Sequence, residues 1–485
     1  MLGVNCKLFK FYWYISKKRF AHALACLPSE KKNAIYWQSY AFYQLGMYRS
    51  VLACPPENNS ARYLLAEIVS AAACGDRDKV ESLLCDKQSL RLDKKKIREL
   101  AVALLAFYPD LSVSLLKTDR SSILKLAALI SIGESSGAQL QLQACSNKLD
   151  RRLELPFYRS NLLNFSPEKQ LATLNDFFAR KKVAPVVLRN KKLPLGAMNI
   201  RHLESLKTVS GPLVSIVMTV FESAKRISFA LDSLLNQTYK NIEIIVVDDA
   251  SSDNACDVIE QFCEIDSRVR YVKLPLNVGT YVAKTIGVHL AHGNFVSCQD
   301  SDDWAHPQKI AIQMQPMLTD ERIVFTTSNL IRIGDDGIFY ARAVYPLVRL
   351  NHSSVLFRKD VVAKFTGFWD FVRTGADSEF LARLKLVFGE KSMRRISLPL
   401  SICAHRENSL MTSRDTGYCK SGISDSRLDY WEAFSKWHID SLREKIVPRM
   451  PNNARCSRPF SVPDVISVPA ADIEYCMKFL DIKGF

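Results

Sequence analysis

The chain lacks any Cys-x-x-Cys pair among its 13 cysteines, so the ligand spacing of a structural zinc site is missing. It lacks a run of the ~18–20 apolar residues that would cross a bilayer. Its opening, MLGVNCKLFKFYWYISKKRF, has neither a long apolar core nor a small-residue cleavage site, so no signal peptide is expected. No nucleic-acid module and no interleaving of aromatic with basic residues is recognisable, and no nucleic-acid partner is expected. Low-complexity tracts are missing too, and 48% hydrophobic with 24% charged residues is ordinary globular composition. Scattered cysteines in odd number fit a reducing compartment. These absences lead to the expectation of a cytoplasmic protein, at most peripheral on the inner face of the inner membrane.

Acidic residues are scarce at one end. Residues 1–200 carry 31 Lys and Arg against 16 Asp and Glu, a net +15, while residues 201–485 carry a net +1. That asymmetry predicts two units with different work. A basic surface of this size suits an anionic membrane, an acidic glycan or a pathway partner.

Residues 1–176 read as a basic, repeat-like helical domain. KRFAHALACLP from Lys18, MYRSVLACPP from Met47 and DRDKVESLL from Asp76 recur at a constant offset of 29 residues. Candidate second helices, such as ARYLLAEIVSAAACG, lie between them. Leu45 to Tyr48, LGMY, resembles the first helix of a tetratricopeptide repeat, although the period there is nearer ~34 residues. An α-solenoid or an irregular helical bundle is expected. Residues 177–210, with Pro185, Pro194 and dense charge, read as a linker.

From residue 211 the texture changes. PLVSIVMTVF, NIEIIVVDD, RVRYVKLP and GNFVSCQDSDD are short apolar runs fit for strands, and SAKRISFALDSLLNQT, DNACDVIEQFCEI and GTYVAKTIGVHLAHG between them have helical period. Strict alternation predicts βαβ units and a mostly parallel sheet. Ligands of such sheets sit outside the carboxyl ends of the strands. The polar residues fall there: Thr219 to Glu222, Asp248 with Asp249, and Asp300 to Asp303. Three crowded carboxylates in QDSDDW suit a hard divalent cation, Mg²⁺ or Mn²⁺, that bridges phosphate oxygens. Asp249 can accept from a base or a ribose, and Asp249 or Ser251 can instead cap the helix that starts near Asp253.

In order along the chain, VSIVMTVFE, SLLNQTYKNIEIIVVDDASSD, NVGTYVAKTIG, DSDD, HSSVLFRK and GADSEFLARL make residues 211 to about 415 resemble a family 2 glycosyltransferase of the GT-A fold. The resemblance implies an α/β, Rossmann-like catalytic domain over 211–440, after the helical domain and before a C-terminal extension, 441–485, of unassigned role. It implies that Thr219, Phe221 and Glu222 meet the nucleoside, that Asp249 binds the base, and that Asp300 faces the ribose. Asp302 is implied as the metal ligand, Asp303 as its support, and Asp377 as the catalytic base, with Arg383 six residues beyond it. Where the family reads Ala-Arg-Asn, this chain has Ala283-Lys284-Thr285, which leaves Lys284 to meet the diphosphate without a bidentate fork. The acidic pair before the base is Ala376-Asp377, so Glu379 is the second candidate on the acceptor side. His405 is a candidate for the metal or the diphosphate, and His352 for the acceptor side.

The expected activity is a metal-dependent, inverting transfer of a sugar from a nucleotide-diphosphate sugar, UDP-linked first of all. The acceptor would be a glycan or lipid-linked glycan in capsule, lipopolysaccharide or similar surface-polysaccharide synthesis. Two other readings compete: a transferase-like scaffold without turnover, and a nucleotidyltransferase with the same acidic frame.

Overall fold

The computed structural model describes residues 2–27, 35–54, 60–86, 92–119, 122–146, 153–203, 206–406, 411, 413, 415–419, 422–451 and 457–482. Twelve helices fill the first part: α1 (Leu2–Ser16), α2 (Phe20–Cys26), α3 (Ile35–Gln44), α4 (Tyr48–Leu52), α5 (Ala61–Ala73), α6 (Arg77–Asp86), α7 (Lys94–Leu104), α8 (Pro109–Leu115), α9 (Ile123–Ser131), α10 (Ser135–Ser146), α11 (Leu155–Leu162) and α12 (Pro167–Arg180). Odd and even members pair as hairpins, and each hairpin packs on the next. The three recurring stretches become α2, α4 and α6, the second arms of successive hairpins. Among the described residues no helix is long and apolar enough to cross a membrane.

After a short β1 (Val187–Leu188) and β2 (Ile200–Arg201), the chain enters β3 (Val214–Val220), α13 (Ile227–Leu235), β4 (Ile242–Asp248), α14 (Ala255–Ile265), β5 (Val269–Lys273), α15 (Thr280–His289) and β6 (Phe295–Asp300). Then follow β7 (Trp304–Ala305), α16 (Lys309–Thr319), β8 (Phe325–Gly334), β9 (Phe339–Tyr340), β10 (Arg349–Leu350), β11 (Leu356–Arg358), α17 (Lys359–Phe365), α18 (Ala376–Phe388) and β12 (Met393–His405). The last elements are β13 (Tyr418–Cys419), β14 (Gly422–Ile423), α19 (Asp425–Glu444) and α20 (Ala470–Phe479).

The main sheet runs β5-β4-β3-β6-β11-β8-β12-β7. Its first four strands are parallel; β11 is antiparallel to both neighbours. The chain leaves β3 toward β4 on one side and returns to β6 on the other, which opens a crevice at the carboxyl ends of β3 and β6. Strand periodicity sorts the two faces: Ile216, Met218, Ile244 and Val246 pack on α13, α14 and α16, while Val217, Ile245 and Val247 pack under α15 and α18. A Cβ at Gly287 would collide with Val217, so glycine lets α15 lie directly on the sheet.

The segment expected as a linker is built into the core. Phe177, Phe178, Val183, Val186, Leu195, Ala197 and Ile200 are buried together with Phe157 against Trp304, Ile331, Ile333 and Ile402 of the sheet. Phe177 and Phe178 end α12, and the other apolar residues sit in turns and two-residue strands, which carry no period, so charge and proline dominated its sequence signature. At the other end of the helical stack, Glu432 of α19 accepts from the Arg49 and Ser50 N–H groups and thereby caps α4. Between these ends, Ala73 of α5 packs on Ile423 and Leu428, and α7 and α9 pack on Val344 and Tyr345, so the helical stack is fastened to the rest of the fold at several places. The C-terminal segment packs back as well: Ile466, Val468, Ile473, Cys476 and Met477 join the core that holds Tyr281, Phe371 and Val372.

Candidate active site

The polar ends of β3, β4 and β6 meet at the crevice. Thr219 stands opposite Asp300 in the β3–β6 register, and its hydroxyl pairs with that of Thr280 at 2.7 Å. Just beyond the strand ends, Glu222 and Ala250 hold φ of 49° and 61°, left-handed values that side chains other than glycine rarely adopt. Such strain collects at functional sites. Phe221 is exposed. Glu222 accepts from the Ser252 N–H and hydroxyl, which hold its carboxyl below the usual range.

The aspartate pair after β4 divides its work. Asp248 accepts from the Ser251 N–H and the Tyr271 hydroxyl, both at 2.8 Å. Asp249 accepts from the Val278 and Gly279 N–H groups at 2.7 and 2.8 Å. Burial pushes Asp249 up to about 6 despite these donors. Gly279, at φ 84°, is the residue before α15, so Asp249 anchors the loop that aims that helix at the crevice. Neither Asp249 nor Ser251 caps α14; Asp253 accepts from the Ala255 N–H instead.

Lys284, expected at the diphosphate, sits between two carboxylates. It is buried, and its Nζ lies 3.4 Å from Asp300 Oδ1 and 3.6 Å from Asp377 Oδ2. Burial disfavours the ammonium, but the two carboxylates outweigh it and raise its pKa. Asp300 feels burial first, then the opposing pull of Lys284 and the Ser353 hydroxyl, and ends below the usual range.

Asp377 lies in the first turn of α18 with 16% of its side chain exposed. Its Oδ1 accepts from the Trp369 indole N–H at 3.0 Å, and its Oδ2 accepts from the Tyr281 and Ser353 hydroxyls, each at 3.3 Å. The carboxylate is therefore oriented by four groups and still reachable from the crevice. Glu379, expected as the second acceptor-side candidate, is fully buried. Its oxygens take both Arg383 Nε and Nη2, at 2.7 and 2.8 Å, and His438 Nε2 lies 3.1 Å from Oε1. Burial would lift its pKa, but Arg383 and His438 hold it near 2. Arg383 also donates to the carbonyls of Thr366, Gly367 and Phe368, the turn that leads into Trp369.

At the end of β6, Asp302 Oδ2 lies 2.9 Å from Arg406 Nε, an ion pair without hydrogen-bond alignment. Asp303 accepts from the Ala404 N–H at 3.1 Å. Burial comes first in raising both, with repulsion among Asp300, Asp302 and Asp303 behind it, and Asp303 reaches about 8. Arg406 rather than His405 meets Asp302. The His405 ring lies flat on Tyr340, centroids 3.6 Å apart and planes at 9°. Ser409, next along that segment, is outside the described residues. His352 begins the turn that carries Ser353 and is exposed. Among the described residues no three His, Cys, Asp or Glu side chains form a ready metal group. Mg²⁺ commonly uses only one or two carboxylates plus substrate phosphates, and Asp302 and Asp303, raised first by burial and then by their acidic neighbours, are a fitting place for it.

Sequence reasoning missed Trp369, Tyr281 and Ser353. The available signal for Trp369 was GFWDFV, an indole beside a carboxylate eight residues before Asp377.

Residues 215–372 match the family model described as Glycosyl transferase family 2. An uncharacterized glycosyltransferase of Haemophilus influenzae is 36% identical over 118 residues, 24% of this chain and 47% of that protein. The chondroitin synthase of Pasteurella multocida is 26% identical over 245 residues, 49% of this chain and 24% of the synthase. The chain thus spans half or less of the length of these two relatives. Among solved structures, S. aureus TarS 1-349 in complex with UDP-GlcNAc aligns with 40% of this chain and 59% of its own, at 18% identity and a TM-score of 0.35. Strand order and crevice agree with that match, so residues 215–372 form a family 2 glycosyltransferase domain.

Proposed function

We propose that the protein is an inverting glycosyltransferase that moves a sugar from a nucleotide-diphosphate sugar to a hydroxyl of a glycan or lipid-linked glycan in bacterial surface-polysaccharide synthesis. The observation that carries this reading is Asp377, held by Trp369, Tyr281, Ser353 and Lys284 yet open to the crevice. A hydroxyl is a poor nucleophile at neutral pH. A carboxylate in hydrogen-bond reach takes its proton as the new C–O bond forms, which contributes typically ~10²–10⁴-fold. Glu379 is tied to Arg383, so Asp377 acts without a second carboxylate on α18. One base and a single displacement invert the anomeric carbon.

Thr219, Phe221, Glu222 and Asp249 shape the nucleoside side of the crevice, and Asp300 the ribose side. Asp302, with Asp300 beside it, is assigned to a Mn²⁺ or Mg²⁺ ion, which would supply positive charge to the departing nucleoside diphosphate. Lys284 serves this site by holding Asp300 and Asp377 at a fixed separation. The basic helical stack takes no part in the chemistry and is assigned to docking on an anionic membrane or a pathway partner.

The test is a thermal-shift screen of nucleotide sugars with and without Mn²⁺, followed by donor hydrolysis with the best ligand. A UDP-sugar is expected to raise the unfolding midpoint only with Mn²⁺, and Asp302→Ala to abolish both that shift and hydrolysis. Release of pyrophosphate from a nucleoside triphosphate would instead favour nucleotidyl transfer.

A further inference from the structure

We propose that the outer face of α1 is an amphipathic anchor that seats the helical stack on a bilayer rich in anionic phospholipid. This inference rests on the docking role given to the stack and commits it to one surface and one occupant.

The helix has two unlike sides. Phe11 and Ile15 point inward and are buried against Ala23, Leu24, Ala41, Met47 and Ile439. Phe9 and Trp13, one turn apart on the opposite side, are 72% and 45% exposed. A helix whose inner side already closes a core needs no outer aromatics for folding. Two large aromatic rings left in water on one stripe lose the stabilisation that burial would bring.

Charge decides the occupant. Lys10 lies beside the aromatic stripe, Lys17 and Lys18 follow at the helix end and Lys7 stands one turn before Phe11; all four are exposed, and among the described residues none of them is held in an ion pair. No Asp or Glu occurs before Glu30. Lysines beside Phe and Trp are the composition of a helix that lies in the headgroup plane, where the rings enter the acyl boundary and the ammonium groups stay with the phosphates. A second protein copy would present the same lysines to this face and be repelled. The net +15 of residues 1–200 reinforces the attraction to an anionic leaflet over a distance set by salt.

Co-sedimentation of the full chain with two kinds of vesicle tests this, one of pure phosphatidylcholine and one with an equal share of phosphatidylglycerol. Binding is expected on the anionic vesicles at low salt and roughly tenfold weaker on neutral vesicles or at high salt. Phe9→Ser with Trp13→Ser should weaken it by about tenfold or more, and Lys10→Glu with Lys17→Glu by a similar factor, since each lysine near such a surface contributes severalfold. Thermal midpoint and donor hydrolysis should stay at the wild-type level in both, so a failed anchor and a failed glycosyltransferase reading give different results. Wild-type protein that stays off anionic vesicles at low salt overturns the proposal. So does binding that survives both double variants. So does a wild-type dimer, seen by light scattering, that the aromatic variant converts to monomer.

Discussion

Two carboxylates stand two residues apart at the start of α18, on opposite sides of the helix. Asp377 faces the crevice, with neutral donors on both oxygens and one ammonium at 3.6 Å. Glu379 faces the core and is locked in a bidentate pair with Arg383. On the proposed reading, one helix turn supports both chemistry and architecture. The sealed side fixes the turn at 366–368; the next residue, Trp369, orients the carboxylate on the open side. A group that must exchange a proton needs solvent-side access and partners it can lose. A group that must hold a fold needs neither.

Four measurements sharpen or break that contrast. The largest effect is expected from Asp377→Asn, which should lower transfer by about 10²–10⁴-fold and leave the thermal midpoint near wild type. A falling midpoint with activity that tracks the folded fraction would mean that Asp377 is only structural. Next comes Arg383→Met. It leaves Glu379 buried without its cation, a loss of about 3–5 kcal/mol, read as a lowered unfolding midpoint in denaturant, with residual activity among molecules that still fold.

Acid should act on the sealed side. Glu379 is held near 2, below its ordinary 4.5, so its stabilisation is complete above pH 4.5 and is lost as pH falls from there toward 2. That gap corresponds to on the order of 3 kcal/mol. Glu379→Gln should remove that part of the acid-induced loss, and an unchanged acid limb in the variant would contradict the pairing. The smallest effect belongs to Trp369→Phe, which removes one of the donors to Asp377. A drop in kcat of about tenfold, with the KM for donor unchanged, is expected from one lost charge-assisted hydrogen bond. A change in KM alone would place the indole against substrate rather than against the base.

Much of this was legible in the chain. Each of the four parallel strands β3, β4, β5 and β6 lies where a short run predicted it; β3, β4 and β6 are buried along nearly their whole length and so largely apolar, while β5 is the half-buried edge. The acids Asp249, Asp300 and Asp302 lie at strand ends, as the alternation required. The site's inner wiring was hidden. Nothing local distinguishes Asp377 from Glu379, since both are acidic residues in the first turn of one helix and only the neighbours of each face differ. Lys284 read only as a cation near the diphosphate, and nothing local marked it as buried, since lysine seldom is. Its burial follows from Asp300 and Asp377, which come to it from distant parts of the chain. The segment 177–203 hid its core residues among prolines and lysines.

The sequence by itself determined the order of strands and helices, the basic excess of the first 200 residues and the positions where acids end strands, since periodicity and composition act over a few neighbouring residues. Tertiary structure alone decided which carboxylate is open and which is sealed, that Trp369, Tyr281 and Ser353 join Lys284 in orienting Asp377, and that Arg406 reaches Asp302. Those outcomes depend on burial and on distances between side chains far apart in the chain, and both come into being only when the sheet, α15 and α18 close on one another.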